Sequence, residues 1–489
     1  MKRVGLWLGP LLFVVSLLAP PLEGVTPVGM RTLGIFLWTA TWWFSEAIPI
    51  PATSLFALAM LALCGVLSVA AAFSTWANWV IIFLLGAFII GHAMTLHGLT
   101  KRIAYQMAGS SLVGGSPWRL VMMFGVGAAL MSPILSNVIT TMVFLSIAVG
   151  LAKTLDLERG TRFPEVMFLS IAWGSTMGGI ATPIGAPTNL IAIGVINSLG
   201  ARVGFLQWMA IAVPMAVVGL GVMFLVIRYV LRPEPPQRWL SSSYLQDELK
   251  KLGPWNRGEK LSASVFLVAM FLWLLPDVLP LVLSGGRQHP WSQWVSGHLD
   301  WSVTAIIMAT SLFVLPVDWK NRKFAMTWDE AVKGVDWGNL ALIAGALALG
   351  NALASREVGL GQFFEQSLIS FSSSAGSQLA FVFGVVTFTV VMTSFVSNIA
   401  AVGLVSALVQ GIGSSAGVDP IALLVCVGVA ASMAFPLPVG TPYNAMVFAS
   451  GYVRMGTMVK GGIAITLLVI PLVSLIVFYL ASLLIPAQF

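Results

Sequence analysis

Charge is scarce in this sequence. Only 9% of its 489 residues are Asp, Glu, Lys or Arg, whereas 58% are hydrophobic and the mean hydropathy is +0.94. Most of the chain therefore cannot form the half-polar surface of a soluble domain. There are four histidines and two cysteines. Cys64 and Cys426 lie in apolar runs without a pairing motif, so they read as small buried hydrophobes rather than a disulfide framework. No His, Cys or carboxylate cluster has catalytic or metal-ligand spacing, which argues against a membrane-embedded enzyme. The short alternating strands of a transmembrane barrel are also missing.

What the chain has is a succession of apolar stretches of about 20 residues, enough to cross a roughly 30 Å hydrocarbon core as helix. The pattern predicts an all-α polytopic membrane protein. Eleven transmembrane helices are expected near 5–22, 30–47, 50–70, 78–98, 164–199, 206–232, 260–284, 301–316, 338–355, 419–452 and 461–485. The first follows Lys2 and Arg3 and ends at Pro20, Pro21 and Glu23, a poor cleavage site, so it reads as a retained helix rather than a signal peptide. Two further stretches, 120–152 and 379–413, are too long for one crossing. Each has a polar break: Ser132, Pro133, Ser136 and Asn137 in one, Thr393, Ser394, Ser397 and Asn398 in the other.

The distribution of cations decides how these two stretches run. Lys101, Arg102 and Arg119 precede the first and Lys153, Arg159 and Arg162 follow it, so a single crossing would separate two basic clusters. With both stretches as re-entrant hairpins and a cytoplasmic N-terminus, only Arg31, Arg202, Arg287 and Arg356 face outward, leaving 21 of the 25 Lys and Arg inside. The formal net charge of +7 is then an orientation signal and implies no nucleic-acid partner. Residues 233–259, with Arg238, Lys250, Lys251 and Arg257, read as a cytoplasmic linker between two halves.

The halves repeat. GAFIIGHAM at 86–94 matches GALALGNAL at 345–353, and the offset stays nearly constant: 259 from Gly86 to Gly345, 261 from Ser136 to Ser397, 255 from Asn189 to Asn444. Basic residues follow the first copy and precede the second, so the copies are expected to run in opposite directions, an arrangement of secondary transporters with a midplane site. Both copies carry a helix-breaking cluster. Thr182, Pro183, Gly185, Pro187, Thr188 and Asn189 form one, and Pro436, Pro438, Gly440, Thr441, Pro442 and Asn444 the other. Ser136, Asn137, Ser397 and Asn398 are suited to start the second hairpin arms by capping free amides. Four helix starts could thus hold an anion without any Lys or Arg. Neutral hydroxyl, amide and carbonyl oxygens also suit sodium. His92, His97 and Glu46 read as packing, interfacial or capping residues.

FSEAIPIPAT at 44–53, SNVITT at 136–141, GGIATPIGAPTNLI at 178–191, SNIAAV at 397–402 and PVGTPYNA at 438–445 resemble the divalent anion/sodium symporter family of dicarboxylate and citrate transporters, over essentially the whole chain. The resemblance implies a homodimer in lipid, a small anionic substrate such as a C4-dicarboxylate, sodium as coupling ion and an elevator-type movement. It divides the chain into scaffold helices at 1–118 and 260–375 and transport-domain halves at 119–232 and 376–489. Ser132, Ser136, Asn137 and Gly185 would form one sodium site, and Thr393, Asn398 and Gly440 the other. The implied substrate positions are Ser136, Asn137, Val138, Thr188, Asn189, Ser397, Asn398, Ile399, Thr441, Pro442 and Asn444. In the family a Thr usually follows Ser-Asn, whereas this chain has Val138 and Ile399. That leaves open succinate, citrate, sulfate, a sulfonate or an apolar-bodied dicarboxylate, and symport or sodium-independent exchange. An anion channel is a further alternative, against which the inverted repeat weighs.

Overall fold

Proline marks helix starts in this chain more than it interrupts helices. Pro27, Pro117, Pro187, Pro420 and Pro442 each stand at the first turn, where a missing N–H costs nothing. Side chains complete other starts: Asn78 accepts from the Val80 amide at 3.0 Å and Asp419 from the Ile421 amide at 2.9 Å. The computed structural model describes residues 2–110, 116–234, 243–355, 357–360, 377–412 and 418–485. Arg238 and Arg356 lie outside them.

The described residues are overwhelmingly helical, with one exception to the all-α expectation. Pro316–Asp318 and Lys323–Phe324 pair as a small antiparallel ribbon. Its turn is local chemistry: Asp318 accepts from the Asn321 amide at 3.2 Å and from the Asn321 carboxamide at 2.6 Å, and Arg322 takes a φ of 51°.

Among the described residues, six helices are long and apolar enough to cross a membrane, or seven if Trp328–Gly334 and Trp337–Leu353, bent by 56°, form one span. Helix length thus accounts for six or seven crossings, not the expected eleven. Other expected spans coincide with shorter apolar helices such as Ile50–Leu63, Trp301–Ser311 and Pro420–Ala430, or with helices interrupted at their polar clusters. The 164–199 stretch breaks into Arg162–Gly179 and Pro187–Ser198, and the 419–452 stretch into Pro420–Ala430 and Pro442–Ala449.

The 120–152 stretch also breaks where its polar residues fall, into Pro117–Met131 and Asn137–Thr154. Phe124 and Phe144, twenty residues apart, have ring centroids 6.1 Å from each other. A continuous helix would separate them by about 30 Å, so the two arms fold back as a hairpin. The 379–413 stretch breaks in the same place, into Ser377–Phe395 and Asn398–Ile412.

The interior of the molecule is built on the broken helices. Every residue from Phe163 to Gly179 is buried, and so is every residue from Pro420 to Ala430. A helix covered on all sides must place its polar groups against partners. The indole of Trp173 donates to the Phe435 carbonyl at 3.2 Å and that of Trp208 to the Ile180 carbonyl at 3.0 Å, so both breaks have carbonyls satisfied by buried tryptophans.

Candidate functional site

Each polar break ends in a helix start, or tip, held open by its own side chains. Ser136 caps the helix Asn137–Thr154 by accepting from the Ile139 amide at 3.3 Å, and Ser397 caps Asn398–Ile412 by accepting from the Ala400 amide at 3.2 Å. The asparagines that follow turn inward. The Asn137 carboxamide has its nitrogen toward the carbonyls of Ser175, at 3.1 Å, and Gly185, at 3.2 Å, because the opposite orientation would oppose oxygen to oxygen. The Ser132 hydroxyl touches the same carboxamide. In the second tip, the Thr393 hydroxyl lies 2.8 Å from Asn398 Oδ1 and 2.6 Å from the Ala431 carbonyl.

The breaks pack directly against these tips. The Thr182 hydroxyl donates to the Pro133 carbonyl at 2.7 Å and accepts from the Gly185 amide at 3.2 Å, coupling the first tip to the first break. A Cβ on Gly185 would overlap the Gly179 carbonyl, and one on Gly179 would overlap Asn137. At Gly440 a Cβ would stand 3.0 Å from Ala434 Cβ and 3.1 Å from the Thr393 carbonyl oxygen. Close backbone approach, which glycine permits, brings the Gly185 carbonyl to the first tip and Gly440 against the Thr393 and Ser394 carbonyls of the second.

Asn189 and Asn444 do the same local work in each half. Asn189 Nδ2 donates to the carbonyls of Gly179 at 2.9 Å and Thr182 at 2.8 Å, and Asn444 Nδ2 to those of Ala434 at 2.7 Å and Leu437 at 3.2 Å. The partners lie ten and seven residues upstream in both cases, so the bonding pattern repeats with the sequence. Thr188 pairs across the halves with the Ser432 hydroxyl at 2.6 Å. Thr441 caps Pro442–Ala449 by accepting from the Asn444 amide at 3.1 Å, with Pro442 exposed beside it.

The structure thus gathers Ser132, Asn137 and Gly185 at one tip and Thr393, Asn398 and Gly440 at the other. Val138 and Ile399 are half-buried next to them. Tyr443 lies beside both tips. The Tyr443 phenol accepts from Asn398 Nδ2 at 3.2 Å and interacts with the side chains of Asn137, Thr176 and Thr441. None of these groups is charged, and among the described residues no three His, Cys, Asp or Glu gather as a metal-ligand group.

A profile of the citrate transporter family matches residues 40–428 and 291–488. The sodium-dependent dicarboxylate transporter SdcS of Staphylococcus saprophyticus is 32% identical over 98% of this chain and 91% of its own length. Its counterpart in Staphylococcus aureus strain RF122 is 30% identical over the same shares. The chain belongs to the divalent anion/sodium symporter family, of the dicarboxylate and citrate transporter type. As a member it is a transporter and not an enzyme. Two solved structures are similar: the YdaH transporter of Alcanivorax borkumensis, with TM-score 0.56, 14% identity and coverage of 87% of this chain and 88% of that one, and MtrF of Neisseria gonorrhoeae, with TM-score 0.58, 12% identity and coverage of 96% and 94%. At such identities the likeness is one of fold.

For a family member the site contains residues that the motifs did not single out. Tyr443, Thr176 and Ser432 contribute polar atoms between the halves, and Ser175 donates to the Asn137 carbonyl within the first. Tyr443 sits inside the quoted motif PVGTPYNA and could have been flagged as a polar aromatic in a broken membrane helix. Ser175 and Thr176 precede GGIATP with no spacing signal, and only packing reveals them.

Proposed function

We propose that this protein is a sodium-coupled symporter that carries a dicarboxylate such as succinate into the cell. The observation that carries the reading is the pair of uncharged, serine-capped helix starts at Asn137 and Asn398, one in each half, with the Tyr443 phenol hydrogen-bonded to Asn398. The Asn398 amide and the free backbone N–H groups of two helix starts offer donors and a favourable dipole to a carboxylate without a fixed cation. SdcS of Staphylococcus saprophyticus, named a sodium-dependent dicarboxylate transporter, supports the same substrate class.

Sodium is a co-substrate in this scheme. Ser132, Ser136, Asn137 and the Gly185 backbone supply neutral oxygens for one ion, and Thr393, Asn398 and the Gly440 backbone for another, the donor type a hard monovalent cation takes. Bound sodium beside each tip adds positive potential in a site of low dielectric, so anion and cation binding reinforce each other. Ser136, Ser397 and Thr441 set the helix starts around the anion, Thr188, Asn189 and Asn444 hold the breaks in shape, and Pro442 lines the rim. The protein works as a homodimer in the inner membrane with a cytoplasmic N-terminus. Residues 119–232 and 376–489 move as an elevator against the scaffold at 1–118 and 260–375.

The test is uptake of labelled succinate by proteoliposomes under an inward sodium gradient. Accumulation that disappears when choline replaces sodium is the expected result. Uptake driven only by succinate inside the vesicle, with or without sodium, would show exchange instead. Val138 and Ile399, apolar and half-buried at the tips, offer no hydroxyl to a carboxylate, which leaves a second cargo class open: sulfate, sulfonates or dicarboxylates with apolar bodies. Including these anions as competitors decides between them.

A further inference from the structure

We infer that Tyr443 is a specificity-determining residue of this site, its hydroxyl contributing to carboxylate recognition and its ring restricting the site to compact linear dicarboxylates. The inference rests on the dicarboxylate reading above. Tyr443 is buried, with 3% of its surface exposed, and its hydroxyl meets groups from both halves: Asn137 and Thr176 from the first, Asn398 and Thr441 from the second.

A phenol has one proton to donate and oxygen lone pairs to accept with. Here the oxygen accepts from Asn398 Nδ2. The phenol therefore holds a place between the two tip amides where an anion would have to bind. An arriving carboxylate oxygen can accept hydrogen bonds from the Asn398 N–H and from the phenol O–H, both groups keeping their protons, so no buried donor is left unmatched. Ser136, Val138, Ser397, Asn398 and Ile399 all keep part of their surface exposed, so an anion can reach Asn398, against which the phenol oxygen rests at 3.2 Å. Val138 and Ile399 have no hydroxyl to offer at the tips, so the hydroxyl of Tyr443 supplies an O–H donor close to both.

The two halves differ here. At the offset that relates Asn189 to Asn444, Tyr443 corresponds to Thr188, whose hydroxyl is engaged by Ser432 at 2.6 Å. One half thus spends its hydroxyl on holding the repeats together, while the other projects a phenol between the tips. The buried ring is held at the tip by the Asn398 bond, so its bulk bears on how wide an anion the tip admits, more on a branched tricarboxylate than on a four-carbon chain.

The experiment compares full-length wild type, Tyr443→Phe and Tyr443→Thr in proteoliposomes, using succinate uptake with citrate as competitor. Tyr443→Phe removes the hydroxyl and keeps the ring, and should raise the KM for succinate about tenfold, more than it lowers Vmax. Tyr443→Thr keeps a hydroxyl and removes the ring, and should let citrate compete where it does not in wild type. An unchanged KM in the Phe variant, or a fall in Vmax alone, overturns the hydroxyl's role, and an unchanged citrate preference in the Thr variant overturns the ring's. If wild type takes up no succinate, the dicarboxylate reading fails first. Thermal shift of the same three proteins with succinate, citrate, sulfate and methanesulfonate then tests Tyr443 alone. Loss in the Phe variant of whichever shift wild type shows supports the assignment, and its retention, or no shift in wild type with any anion, overturns it.

Discussion

Gly185 and Gly440 occupy equivalent places in the two breaks, yet their surroundings differ. The Cβ of an alanine at 185 would overlap a backbone carbonyl, which cannot rotate away, whereas at 440 the closest atom is Ala434 Cβ at 3.0 Å. Gly185→Ala should therefore destabilise by about 1–3 kcal/mol and abolish sodium-dependent uptake, with Gly440→Ala clearly milder. Thermal unfolding in sodium and in choline checks both. Asn137→Ala and Asn398→Ala remove the tip amides and should cut uptake at least tenfold in a protein that remains monodisperse, since removal of one partner at a buried polar site forfeits about 1–3 kcal/mol.

At the scale of elements, the tips depend on the breaks. Thr182 bonds to Pro133 in the first tip and to Gly185 in the first break, so one hydroxyl sets the distance between two helix starts. Thr182→Val keeps the shape and leaves a buried carbonyl and an amide without that partner, for an expected loss of about 1–3 kcal/mol. Its distinguishing effect is on cation dependence: the sodium concentration for half-maximal uptake should rise more than the succinate KM. A parallel rise in both would count against the coupling described here. The same elements explain why the sequence located tips and breaks so well. Ser, Asn, Pro and Gly act on the backbone within a few residues, through caps and excluded dihedrals, and that reach is local enough to read from spacing.

For the whole molecule, two ion pairs on buried carboxylates tie distant segments together. Glu165 is fully buried and receives the Arg454 guanidinium at 2.7 Å, the Arg454 amide at 3.1 Å and the Thr457 hydroxyl at 2.9 Å. Arg454 follows the second break and Glu165 precedes the first, so the pair joins the two halves. Arg454→Ala leaves a buried carboxylate with neutral partners only. The expected loss is about 3 kcal/mol, at the low end for buried pairs because the Arg454 side chain is 56% exposed, and a lowered Tm in detergent would show it. Arg102 bonds Glu259 at 2.8 Å and the carbonyls of Leu252, Gly253 and Pro254, anchoring the linker after its helix Ser243–Lys251. Lysine cannot reproduce that fork, so Arg102→Lys should expose the linker to limited proteolysis while wild type resists.

By itself the sequence determined the membrane solvent, the repeated halves, the two tips and the two breaks, because hydropathy, charge placement and backbone-breaking residues act along the chain. Tertiary structure alone decided which polar groups meet. Ser175 and Thr176 lie on a helix with no motif to mark them, Tyr443 reaches across the repeat, and Thr188 finds Ser432 244 positions away. Contacts of that kind depend on how helices pack in three dimensions, where a few ångströms of backbone approach separate a bond from a gap, and no periodicity along the chain encodes them.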